Sequence, residues 1–142
     1  MLIYRGVVGA EAGDTAVAFE RLFEKKSWPP TLYDFHHYHP AAHEVLGVVR
    51  GNARLILGGP KGHDIRVRPS DVVLLPAGIG HCRREASPDF MVVGAYPPDQ
   101  DMGICREAAS GEMIKRMEHL PFPASDPVSG KGGPMTALWA KG

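Results

Sequence analysis

The order of apolar and polar residues along the chain predicts one helix followed by a long β region. Apolar residues recur at helical spacing across residues 14–26, Asp14 is a suitable N-cap, and Trp28-Pro29-Pro30 would end the helix. From about residue 31, short runs of Val, Leu, Ile and Tyr are separated by Gly, Pro, Asn and Asp at intervals of about eight to twelve residues. This spacing is typical of a β-sandwich or a β-barrel.

Seven strands are predicted within residues 31–96. They are TLYDFHHYH (31–39), EVLGVVR (44–50), ARLILGG (53–59), DIRVR (64–68), DVVLLP (71–76), GHCRRE (80–85) and FMVVGAY (90–96). The C-terminal extension, 97–142, is rich in Pro and Gly. We expect it to be irregular apart from a short helix near EMIKRMEHL (112–120), with Leu138 and Trp139 as its anchors. The chain as a whole, 1–142, has the length of a single domain.

Composition excludes several classes of function. With 16 basic and 16 acidic residues, the chain lacks the positive charge that nucleic-acid binding requires. The apolar runs are too short to span a membrane, and the start of the chain lacks the features of a signal peptide, so we expect a cytoplasmic protein. In that compartment Cys82 and Cys105 are expected to be free thiols.

The segment FHHYHPAAHEVLGVVRG (35–51) carries the candidate chemistry. Alternate residues of a strand share a face, so His37 and His39 would lie side by side. A turn at Pro40-Ala41-Ala42 would bring Glu44 beside them, and His81 is the best placed distant histidine. Two imidazoles, a carboxylate and a further imidazole are the donors of a divalent-metal site.

These residues resemble the two motifs of the cupin superfamily. The segment His37-x-His39, four residues, Glu44, six residues and Gly51 is similar to the first motif, and Pro76-x-Gly78-x-x-His81 is similar to the second. The chain departs from the family pattern where Thr31 and Ser70 replace glycines and Glu85 replaces an asparagine, and none of these positions is a ligand in the family.

The resemblance implies an all-β fold, the cupin double-stranded β-helix or jelly-roll barrel. It also implies one divalent metal ion, Fe, Mn, Ni or Zn, held by His37, His39, Glu44 and His81, and a homodimer. Such a site would act on a small polar molecule, as a dioxygenase or, second, as an isomerase or epimerase. The alternative is a non-catalytic module that binds a small molecule or senses a metal.

Strand alternation also predicts the walls of the pocket. The residues expected there are Tyr33, Phe35, Arg83, Phe90 and Tyr96. An inward Arg83 would need a partner, either an anionic substrate or Glu85, unless it forms a structural ion pair or lies at the surface. His43 should face away from Glu44, but the preceding turn leaves a rival ligand set open, in which His43 replaces His37.

Overall fold

The computed structural model describes residues 1–8, 14–23, 32–97 and 99–139. Its strands are β1 (Leu2–Tyr4), β2 (Glu44–Arg50), β3 (Ala53–Leu57), β4 (His63–Val67), β5 (Val72–Leu75), β6 (His81–Ala86) and β7 (Met91–Ala95). Its helices are α1 (Thr15–Leu22), α2 (Gly111–His119) and α3 (Pro134–Leu138).

The strands form two antiparallel sheets, one with the order β1-β5-β2-β7 and one with the order β4-β3-β6. Alternate residues of the strands, among them Leu46, Leu55, Val73 and Val92, pack into a buried core that includes residues of both sheets. This architecture confirms the predicted all-β fold of cupin type. The core also accounts for the inward direction of Glu44, which shares a face of β2 with Leu46.

The outer face of the larger sheet is also buried. Val45, Val93 and Ala95 form a second apolar cluster on this face with Phe19 of α1 and Met135 of α3. Both faces of β2 are therefore covered, which explains why its apolar run is nearly continuous. The centre of the sheet is a strand buried on both sides, with α1 and the C-terminal extension as an outer layer.

The predicted helix at 14–26 is present as α1, with the side chain of Asp14 accepting hydrogen bonds from the backbone of Ala16 and Val17. The part of the prediction after Phe23 lies outside the described residues. The second predicted helix is present as α2, capped by Ser110.

The predicted strand at 31–39 is wrong. Between residues 32 and 39 only His37 and Tyr38 form β-bridges, to His81 and Cys105 respectively. Thr31 lies outside the described residues. The segment has aromatic and histidine residues at a period of two, but it lacks a continuous partner strand, so the ladder hydrogen bonds that define a strand do not form.

Two elements were missed because each is too short to carry a periodic signal. Strand β1 pairs with β5, and α3 lies in the Pro- and Gly-rich extension, where irregular structure was expected. Leu138, predicted as an anchor, is 59% exposed, whereas Met135 is buried. Trp139 does pack against the outer apolar cluster, as predicted.

Two expectations from composition have structural counterparts. Cys82 and Cys105, the chain's two cysteines, are both free thiols, as predicted. Within the described residues, no helix combines the length and the apolar character needed to cross a bilayer.

Candidate metal centre

Three buried histidines converge at the edge of the barrel core. His37 forms a backbone bridge with His81, the first residue of β6, and this pairing brings their rings to a centroid distance of 4.0 Å. The ring of His39 lies 5.7 Å from that of His81. One nitrogen from each of the three rings lies within 4.8 Å of the others. That spacing is compatible with three ligands of a single ion.

Each of these rings has its other nitrogen against a backbone carbonyl. Nδ1 of His37 lies 3.1 Å from the Phe35 oxygen, and Nδ1 of His39 lies 3.0 Å from the Met102 oxygen. Nδ1 of His81 lies 3.4 Å from the Ile79 oxygen. A carbonyl only accepts, so these contacts place the ring proton on Nδ1 and leave the Nε2 lone pair for a metal.

Glu44 completes the cluster from the first position of β2. Its Oε2 lies 2.9 Å from Nε2 of His39 and 3.4 Å from Nε2 of His81. Its Oε1 accepts a hydrogen bond of 3.0 Å from the Tyr96 hydroxyl. Tyr96 therefore holds one carboxylate oxygen while the other is directed at the histidines.

Two atoms of the cluster are buried without a hydrogen bond. Among the described residues, Oε2 of Glu44 and Nε2 of His81 lack a partner aligned for one. Unsatisfied buried polar atoms are costly, and they commonly mark a position where an ion or a water binds. The donor set and these two atoms fit a divalent transition metal.

The electrostatics of the metal-free cluster are those of coupled neighbours. Burial lowers the pKa of His81 to about 4, and burial followed by nearby positive charges, including that of Arg106, lowers the pKa of His37. Burial opposes the charged form of His39, but the Glu44 carboxylate outweighs it and raises the pKa of His39. Burial would likewise raise the pKa of Glu44, but the neighbouring histidines and Tyr96 lower it. His81 and His37 are thus held neutral, as metal ligation requires.

His43 lies outside this cluster. Its ring stacks on Phe122 at 4.0 Å with an interplanar angle of 9°. Nδ1 accepts a hydrogen bond from the Ala77 amide, which leaves Nε2 to donate to the Leu120 carbonyl at 3.3 Å. Both nitrogens are engaged, so the geometry favours His37 over His43 as the ligand and agrees with the alternation of side chains along β2.

An aromatic pair flanks His37. The rings of Tyr33 and Phe35 stack at 4.7 Å, and their centroids lie 5.2 and 5.6 Å from that of His37. The Tyr33 side chain is 47% exposed, so this pair extends from the buried cluster to the surface. Tyr33 and Phe35 were both predicted to line the pocket, and the structure places them beside a candidate ligand.

The other predicted pocket residues are distributed differently. Tyr96 contacts Glu44, whereas Phe90 packs against the barrel core. Arg83 is half-buried. Glu85, proposed as its partner, forms its ion pair with Arg54 instead, at 3.3 Å.

The segment 101–107 is a part of the site that the sequence did not indicate. Ala41 and Tyr38 form backbone bridges with Asp101 and Cys105 of this segment. It also supplies the Met102 and Gly103 carbonyls that orient His39. No residue of the segment is of an unusual type for a loop, so its role depends entirely on its path along residues 38–41.

Glu44 and Tyr96 also line a cavity of about 700 Å³. It lies between α1, the outer face of the larger sheet and the C-terminal extension, with Phe23, Leu74 and Val128 among its walls. The cavity therefore adjoins the metal-ligand candidate Glu44 from the side opposite the barrel core.

The two sheets, the cupin-like motif spacing and the convergence of the three histidines define the protein as a cupin. No protein-family model matches the chain. It is 38% identical over 134 residues to the uncharacterized protein YjlB of Bacillus subtilis (strain 168), a match that covers 90% of this chain and 81% of that protein. The chain belongs to the family of YjlB.

Two solved structures show partial similarity. The DMSP lyase DddQ from Ruegeria pomeroyi DSS-3 matches with a TM-score of 0.43 and 26% identity, over 57% of this chain and 41% of that chain. An oxalate decarboxylase matches with a TM-score of 0.43 and 22% identity, over 56% of this chain and 22% of that chain. This chain thus spans less than half the length of either protein.

Proposed function

We propose that His37, His39, Glu44 and His81 bind one divalent transition-metal ion, and that the protein is a metal-dependent enzyme acting on a small polar molecule. The observation that carries the proposal is the arrangement of the three histidines. Each directs Nδ1 at a backbone carbonyl, and Nε2 of both His39 and His81 approaches the same carboxylate oxygen. Ligand orientation is thus already determined by the backbone before a metal binds.

The donor set is compatible with Fe, Mn, Ni or Zn. When bound, such an ion supplies either an oxygen-activating centre, if it is iron, or a Lewis acid, and the four protein ligands leave positions open for substrate. A dioxygenase is the leading reaction class. The residues of this chain bind and orient: the carbonyls hold the imidazoles, and Tyr96 holds Glu44.

An isomerase or lyase reaction is the second candidate, and one observation favours it. The Tyr96 hydroxyl lies 3.0 Å from Glu44 Oε1 and 3.5 Å from His39 Nε2, so a titratable O–H group is adjacent to the proposed centre. Reactions that move a proton near a Lewis acid use such a group. Burial, reinforced by the Glu44 charge, raises the pKa of Tyr96, so the phenol is held in its protonated form.

The first experiment is elemental analysis of protein purified without a histidine tag, in the wild type and in two matched variants. His81→Ala removes a candidate ligand, whereas His119→Ala removes an exposed histidine at the end of α2. We expect about one equivalent of metal in the wild type and in His119→Ala, and a clear loss in His81→Ala. A wild type that neither contains nor takes up a transition metal would contradict the proposal.

Oxygen uptake by the Fe(II)-loaded protein then separates the reaction classes. Dioxygenase activity requires uptake with at least one member of a panel of catechols, thiols and diketones. Turnover without oxygen would support the isomerase or lyase candidate. A compound that binds but is never converted would favour a non-catalytic binding module.

A further inference from the structure

Arg106 forms a cationic cap over the aromatic pair beside the metal centre. Its guanidinium carbon lies 3.9 Å from the centroid of the Phe35 ring, within the range of a cation–π contact. Phe35 in turn stacks on Tyr33 and lies edge-on to His37. An arginine of the C-terminal extension is therefore positioned by aromatic residues that adjoin a candidate ligand.

The distance from Arg106 to the histidine cluster matches the size of a small molecule. The guanidinium carbon lies no more than about 9.5 Å from the His37 ring centroid, given 3.9 Å to the Phe35 ring and 5.6 Å onward to His37. A molecule a few bonds long can therefore reach both the metal centre and the guanidinium.

The position of Arg106 depends on the backbone as well as on Phe35. The preceding residue, Cys105, exchanges two backbone hydrogen bonds with Tyr38, of 2.8 and 3.0 Å. The Tyr38 hydroxyl donates to the carbonyl of Glu107 at 2.6 Å. Arg106 thus lies between two residues tied to the strip that carries His37 and His39.

The donors of Arg106 are available for a ligand. Its side chain is exposed, and within the described residues no carboxylate forms an ion pair with it. An arginine stacked on an aromatic ring keeps its N–H groups, which lie in the plane of the guanidinium, free to bind a carboxylate with two parallel hydrogen bonds.

We propose that Arg106 is the specificity-determining residue of the site and that the substrate is a small organic acid. One end of the acid occupies the open positions of the metal centre, and a carboxylate at the other end pairs with Arg106. This inference rests on the proposed metal centre and adds the chemical class of the substrate.

The test compares two probes that differ only in the charged end. Succinate has two carboxylates, and succinamate, its monoamide, keeps one of them. Binding of each to the Co(II)-loaded protein is measured by calorimetry and by the change in the cobalt absorption spectrum, after the metal content has been determined. The proteins are the wild type, Arg106→Gln, Arg106→Lys and Arg116→Gln. Arg116 is a matched control because it is an exposed arginine on α2 paired with Glu112.

We expect the wild type and Arg116→Gln to bind succinate about tenfold more tightly than succinamate, since a charged, bidentate arginine pair is stronger than a neutral contact. In Arg106→Gln this preference should disappear, and in Arg106→Lys it should be partly kept.

Equal affinity for the two probes in the wild type would overturn the inference. So would an unchanged preference in Arg106→Gln, or the absence of binding of either probe to protein that holds cobalt. Failure to hold any metal would instead contradict the proposed function, so the two failures are distinguishable.

Discussion

Replacing Tyr96 by Phe tests whether the hydrogen bond to Glu44 orients the metal ligands. The change removes one oxygen atom and leaves the ring, which lies edge-on to His39 at 5.1 Å. The lost contact is the 3.0 Å hydrogen bond to Glu44 Oε1. The carboxylate then loses the partner that directs Oε2 toward the histidines.

The expected magnitude follows from the burial of Glu44, which is only 5% exposed. A hydrogen bond to a charged group contributes roughly 1.5–3 kcal/mol, and losing one to a buried acceptor cannot be compensated by water. Metal affinity should fall by about 10- to 100-fold, as is typical when a group that orients a ligand is removed. The metal-free protein should also lose stability, by roughly 1.5–3 kcal/mol.

The assay is competition between the protein and a chelator for Zn(II) or Co(II), together with urea unfolding of the metal-free protein. Tyr38→Phe is the matched control, because its hydroxyl donates to the Glu107 carbonyl and is remote from the carboxylate. We expect its metal affinity to change by less than about threefold, as the ligand positions are retained. If Tyr96→Phe binds metal as tightly as Tyr38→Phe, the hydrogen bond does not orient Glu44 and the reasoning fails.

Three further outcomes follow from the structure. Metal analysis should show that His37→Ala loses bound metal while His43→Ala keeps it; the opposite result would establish the rival ligand set. Gly47→Ala should destabilise the fold by about 1–3 kcal/mol in urea unfolding, because an added Cβ would lie 2.7–2.8 Å from three ring atoms of Phe19; an unchanged midpoint would show that α1 is free to shift. The metal-free protein should lose stability as the pH falls from 6.5 toward about 4, because burial lowers the pKa of His81 and the unfolded chain therefore binds the proton first; His81→Gln should flatten this dependence, and an equally steep profile in that variant would assign it to other groups.

Much of the barrel is predictable from local pattern. Strands β2 to β7 were all expected, because an apolar run between turn residues specifies an extended segment whichever strand it pairs with. The segment 32–39 shows the limit of this approach. Its residue types are those of a strand, but a strand exists only where a partner supplies ladder hydrogen bonds, and that depends on distant parts of the chain.

The candidate site divides in the same way. Motif spacing and side-chain alternation were enough to select His37, His39, Glu44 and His81, because their separations along the chain reflect the geometry of the strands that carry them. Arg106 could not be found by such reasoning. It follows the strands in a Pro- and Gly-rich extension, and its place over Phe35 depends on the backbone pairing of Cys105 with Tyr38.

The sequence by itself therefore determined the class of fold and the donors of the metal centre, since both follow from short-range periodicity and from side-chain chemistry. Only the tertiary structure decided how those donors are held. The carbonyl groups behind the imidazoles belong to main chain that any residue type provides, and those facing His39 come from Met102 and Gly103, more than 60 positions along the chain. Backbone groups carry no signature in the sequence, so their contribution becomes visible only when the chain is folded.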